Sequence, residues 1–359
     1  MTGDSECSIQ YPASINQNHS VMKTLVCTKP GEFNYEDRDK PTLEANRAII
    51  KVKRIGICGT DLHAFEGTQP FFEYPRILGH ELSGELVEFD NAPGFEKGER
   101  VSFIPYFNCG NCIACRSGLP NCCVNLKVFG VHINGGFAEY ISVPSAMLLH
   151  GEGLSYDELS LVEPLAIGAH GVRRAAVKTN EFVLVVGAGP IGLGIAEFAR
   201  IAGGKVIMMD INDRRLEFCS SKLGVFATIN PAKDDAMQQL KSLTNADMPT
   251  VVIDATGSLK AINSSFQYMA HGGRYVLVGL QKGEISLSHP EFHKREGTLM
   301  SSRNATRADF EHVIASMKKG LVKPTTYITH RVQFSEVKDQ FPTWLKPETG
   351  VIKATVELS

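Results

Sequence analysis

The chain has 359 residues, room for about two domains of the usual ~100–200 residues each. Hydrophobic residues make up 43% and charged residues 21%, so a core can form without disulfide staples. Lysine and arginine number 37 against 39 acidic residues, a net charge of −2 that offers no footprint for nucleic acid or an anionic membrane.

No run reaches the ~18 consecutive apolar residues of a membrane span, and no basic-then-apolar secretion signal opens the chain. The expected compartment is the cytoplasm, where thiols stay reduced, so the nine cysteines read as metal ligands and spares. Residues 1–21 are polar and aperiodic and read as a disordered leader. From Met22 to about Pro144, short runs such as "AIIKVKRIGI", "LSGELVEF" and "FAEYISVP" are broken by Gly, Pro and Asn, the texture of a β-barrel or sandwich. The texture changes near Glu163: "EPLAIGAHGVRRAAV" is helical, and strands then alternate with helices. That alternation predicts an α/β unit with a doubly wound parallel sheet. The tail after about Arg303 is expected to rejoin the first domain.

The apolar run "FVLVV" leads into "GAGPIG", where Gly187, Gly189 and Gly192 form G-x-G-x-x-G around Pro190 and Ile191, and a helix follows. In that context the pattern is a dinucleotide fingerprint. Gly187 allows a tight turn, Gly189 lets backbone approach a pyrophosphate, and Gly192 lets helix and sheet close up. Asp210 ends the second strand, where a carboxylate accepts the ribose hydroxyls and repels a 2′-phosphate, favouring NAD. Arg215 and its neighbour Arg214 follow directly.

Cys109, Cys112, Cys115 and Cys123 are spaced C-x2-C-x2-C-x7-C. Short loops of this kind turn successive sulfurs toward one centre, and four thiolates leave no site for water, so a zinc there is structural. An iron–sulfur cluster uses the same ligands, and a nucleic-acid zinc ribbon or a redox pair are the other readings. Elsewhere, Cys58 in "GICGTDLH" and His80-Glu81 in "LGHE" supply a sulfur, an imidazole and a carboxylate. Such a set leaves an open position, as a catalytic zinc needs, although spacing alone does not bring Cys58 to His80.

The ordered motifs "GICGTDLH", "YPRILGHELSG", "CGNCIACRSGLPNCC", "GGFAEY", "EPLAIGAH" and "GAGPIGLG" resemble the zinc-dependent medium-chain dehydrogenase family, over Met22 to Ser359. The resemblance implies a GroES-like β-barrel catalytic domain, residues 22–165 and 304–359, and a Rossmann domain, residues 166–303. It implies two zinc ions per chain and NAD. Cys58, His80, Glu81 and Glu163 match the catalytic-zinc positions, and Glu163 stands where the polyol branch has a glutamate. Cys109, Cys112, Cys115 and Cys123 match the structural zinc, with Cys122 spare. Thr60 and His63 match a proton relay. Further segments are similar to sugar-acid dehydrogenases and imply oxidation of an aldonate secondary alcohol, with L-gulonate or a neutral polyol as the alternative. A carboxylate-bearing substrate calls for a cation, and Arg303, His132 and Lys294 are the candidates. The family also implies a homo-oligomer, dimer or tetramer.

Overall fold

The computed structural model describes residues 20–70 and 72–359. Residues 1–19, most of the expected leader, lie outside the described residues, and the first strand opens at Val21 within that stretch. Strands Glu32–Asp39, Val21–Lys29 and Arg76–Ile77 form a small sheet. A larger sheet runs Leu148–His150, Arg100–Phe103, Glu81–Phe89, Arg47–Gly56, Lys353–Glu357, Ile328–Gln333, with Tyr140–Pro144 also paired to Arg47–Gly56. The chain's last strand therefore lies in the interior of the N-terminal sheet, with Thr355 opposite Gly56.

The second unit is a six-stranded sheet in the order Ala227–Ile229, Lys205–Met209, Phe182–Val186, Val251–Asp254, Arg274–Leu277, Thr298–Ser301. Every pairing in it is parallel. The near-continuous apolar strands follow from cover on both faces: Val183, Leu184 and Val185 are all wholly buried. The chain therefore has the GroES-like plus Rossmann architecture expected of it.

Two details depart from the simple division at 165/166 and 303/304. Helix Val162–Ala175 runs unbroken across the first boundary. Helix Arg307–Lys318, assigned to the catalytic part, buries Phe310, Val313 and Met317 in the core shared with Leu165, Leu193 and Phe198. That core extends to Tyr106 and Cys123, so the cysteine lobe is seated on the Rossmann unit. Among the described residues no helix is long and apolar enough to cross a membrane.

Candidate metal centres and cofactor cleft

The four lobe cysteines come together. The sulfurs of Cys109, Cys112, Cys115 and Cys123 all lie within 4.8 Å of one another. Backbone N–H groups point at them: Cys109 and Asn125 donate to Cys123 Sγ at 3.3 and 3.4 Å. Backbone N–H groups of Cys115 and Val124 hold the Cys112 thiol down at about 6, which favours the thiolate that a metal binds. Cys122 is exposed and outside the set. None of the described cysteines forms a disulfide. Of the other spares, Cys27 and Cys219 are buried, and burial pushes both thiols up to about 12. Cys7 lies outside the described residues.

Cys58, His80 and Glu81 form the second set, their ligand atoms also within 4.8 Å of one another. Cys58 caps helix Gly59–Glu66, and strand Glu81–Phe89 starts immediately after His80. Asp61, which the sequence reading passed over, ties the two together: it accepts from Cys58 N–H at 3.0 Å and Gly79 N–H at 3.1 Å. His80 Nδ1 is buried with no hydrogen-bond partner.

The two carboxylates differ. Both oxygens of the fully buried Glu81 accept from Lys353 Nζ, at 2.8 and 2.6 Å, and Nζ also donates to the Ile57 carbonyl at 3.0 Å. A Cβ on Gly56 would fall 2.3 Å from Glu81 Oε2, so only glycine leaves room for that pair. Glu163 stands in the first turn of helix Val162–Ala175 and outside the Cys58–His80–Glu81 set. Its Oε1 accepts from the Tyr106 hydroxyl, whereas its buried Oε2 has no partner. Burial, with the nearby Glu81 charge, raises its carboxyl to about 7 against the pull of His80. Lys353 and Tyr106 carry no motif signal. Each meets its carboxylate only through long-range folding, 272 and 57 positions away.

Thr60 and His63 share helix Gly59–Glu66. His63 is exposed, with Nδ1 3.2 Å from Thr68 Oγ1, and no hydrogen bond joins it to Thr60.

The fingerprint has the geometry its glycines require. Gly187 has φ +102°, and a Cβ on Gly192 would lie 1.8 Å from the Gly187 carbonyl oxygen. A Cβ on Gly189 would meet nothing within 4 Å, so an open approach lies before helix Pro190–Ile201. Asp210 is held by Ala188 N–H at 2.7 Å and Asn212 N–H at 2.8 Å. A cleft of about 830 Å³ runs from Arg214 and Arg215 past Pro190 to Gly59, beside Cys58, and Trp344 and Lys346 line it as well.

The three substrate candidates separate. Burial lowers the pKa of His132, helped by the charges of Lys127, Arg303 and Arg76. Arg303 is exposed, and its carbonyl accepts from Asn121 of the cysteine lobe at 2.9 Å. Lys294 is elsewhere, on helix His289–Lys294, 3.4 Å from Glu291. Arg76, absent from the sequence list, has a buried Nε without a partner.

A thiolate–imidazole–carboxylate centre beside a dinucleotide cleft defines an oxidoreductase. The Alcohol dehydrogenase GroES-like domain matches residues 44–152, and the Zinc-binding dehydrogenase family matches residues 190–319. L-galactonate-5-dehydrogenase of Escherichia coli K12 is 45% identical, covering 94% of this chain and 99% of that protein. A sorbitol dehydrogenase of Halalkalibacterium halodurans is 32% identical over 88% and 94% of the two chains. A crystal structure of a short chain alcohol dehydrogenase (rspB) from E. coli CFT073, complexed with NADH, superposes with TM-score 0.87 at 31% identity, covering 94% of this chain and all of that one. The chain belongs to the zinc-containing medium-chain alcohol dehydrogenase family. It is an NAD(H)-binding enzyme that acts on CH–OH groups, of the polyol and sugar-acid class.

Proposed function

We propose that this enzyme uses NAD to oxidise C5 of L-galactonate, giving D-tagaturonate. The observation that carries the reading is the 45% identity to L-galactonate-5-dehydrogenase over nearly the whole chain. The cations of Arg303, Lys127 and Arg76 around His132 support it, because an aldonate has a carboxylate that a neutral polyol lacks.

Cys58 and His80, with Glu81 or Glu163, are the residues that would hold the catalytic zinc, and Cys109, Cys112, Cys115 and Cys123 the structural one. The buried His80 Nδ1, which has no hydrogen-bond partner, supports the fit, since buried polar atoms without partners are costly unless a cation meets them. When bound, zinc supplies Lewis acidity toward a hydroxyl, and NAD supplies the hydride acceptor.

The chain's own residues do the rest. Thr60 accepts the hydroxyl proton as it gives up its own, and His63, exposed on the same helix and not hydrogen-bonded to Thr60, is the residue that releases a proton to solvent. Asp210, fixed by two backbone donors, holds the adenosine ribose and disfavours a 2′-phosphate, while Pro190, Ile191 and Arg215 flank the cofactor. Arg303 and His132 grip the distal carboxylate and so select which hydroxyl is presented. The exposed edge strand Thr298–Ser301, paired on one side only, supports a homo-oligomer.

The test is NAD reduction with L-galactonate, L-gulonate, sorbitol and galactitol. Highest kcat/KM is expected with L-galactonate. Turnover of the neutral polyols alone would overturn the reading.

A further inference from the structure

Tyr106 is 5% exposed and pairs across a short two-stranded ribbon with Val128. Its ring meets Phe310 edge-on, with centroids 6.0 Å apart. Phe310 sits on helix Arg307–Lys318, which Asp309 fastens to the helix of Glu163 through His170 at 2.9 Å and Arg173 at 2.7 Å. The Tyr106 ring thus packs on a helix fastened to the one that carries Glu163, and its hydroxyl donates to Glu163 Oε1.

Among the described residues no other donor reaches this carboxylate. Lys353 is the neighbouring cation, but an ammonium has three N–H groups, and Glu81 Oε1, Glu81 Oε2 and the Ile57 carbonyl take them. Oε2 of Glu163 is left buried and unpartnered. Removing the tyrosine hydroxyl would leave both oxygens without a donor. A metal at Cys58 and His80 is a cation able to satisfy them.

We propose that Tyr106 is a positioning residue that restrains Glu163 from closing on the metal centre, keeping one coordination place free for the substrate hydroxyl. The proposal rests on the reading of Cys58 and His80 as the catalytic metal site. It accounts for Glu163 standing outside the cluster formed by Cys58, His80 and Glu81.

The test uses Tyr106→Phe in the zinc-loaded enzyme and in enzyme with cobalt(II) at the catalytic site. Zinc is released to a chromophoric chelator before the four-thiolate lobe is opened by thiol modification. The variant is expected to release catalytic zinc about 10-fold more slowly, opposite in sign to the roughly 10–100-fold loss of affinity that changing a partner of a metal ligand usually causes. Its cobalt d–d spectrum should shift, and KM for the alcohol should rise. In a Glu163→Gln background the same substitution should change neither release nor spectrum, because a carboxamide does not close on the metal. Release and spectrum unchanged from wild type would overturn the proposal. So would faster release, or an equal effect in the Glu163→Gln background. Wild-type protein that carries zinc only in the cysteine lobe would instead overturn the reading of the Cys58–His80 site.

Discussion

The Lys353–Glu81 pair sets a large and checkable energy at the candidate metal centre. The side chains are 2% and 0% exposed, and Nζ makes three hydrogen bonds of 2.6 to 3.0 Å. Lys353→Met removes the cation and every one of those donors. A fully buried carboxylate then loses both hydrogen bonds from its one cation, and the Ile57 carbonyl loses its bond from the same ammonium. Breaking one side of a buried pair costs about 3–5 kcal/mol, because the remaining charge cannot be solvated. The assay is urea denaturation followed by fluorescence of Trp344, the chain's only tryptophan. Trp344 packs in the same core cluster as Ala354 and Val356, so it reports on the strand that carries Lys353. Glu81→Gln combined with Lys353→Met should recover most of the loss, since the uncompensated charge is gone. A loss under about 1 kcal/mol in the single variant would refute the reasoning, because only a solvated or protonated Glu81 could tolerate it so cheaply.

Three further outcomes are expected. Cys123→Ser should lose the lobe zinc and Cys122→Ser should keep it, as counted by metal analysis; equal zinc in both would contradict the clustered geometry. Asp210→Ala should lower kcat/KM with NAD relative to NADP, and an unchanged ratio would show that Asp210 does not contact the ribose. Asp309 is buried, which pushes its carboxyl up, but hydrogen bonds from His170, Arg173 and Thr306 outweigh burial and hold it well below the usual carboxylate range. A depressed folded value adds stability that is present above the unfolded value of about 3.9 and is lost as pH falls below it. The stability gap between wild type and Asp309→Asn should therefore be widest near neutral pH and shrink below about pH 4 in denaturation series; a gap independent of pH would refute it.

What was legible in the sequence was local. The strand–glycine–helix pattern around Gly187 and the spacing of Cys109 to Cys123 put the relevant atoms within a few residues of one another. Cys58 with His80 was legible only through resemblance, since nothing in either motif encodes their meeting. Lys353 was illegible: in "VIKATVEL" a lysine between apolar residues reads as the solvent side of an edge strand, yet residues 353–356 are all buried. Tyr106 was hidden because its partner, Glu163, lies 57 positions away on helix Val162–Ala175. Helix Val162–Ala175 spans the expected boundary at 165/166, since a proline in a first turn marks where a helix starts, not where a core ends.

The place of Lys353–Glu357 has a consequence for how the molecule matures. Strand Arg47–Gly56 acquires this neighbour only after the whole Rossmann segment has been threaded between them. Such a contact closes a loop of most of the chain, and it forms late and slowly. Until then Glu81 lacks its ammonium partner. The charge balance of the candidate metal centre therefore depends on a strand whose lysine lies 272 positions beyond Glu81, and an N-terminal half folded alone would hold Cys58, His80 and Glu81 without the ammonium of Lys353.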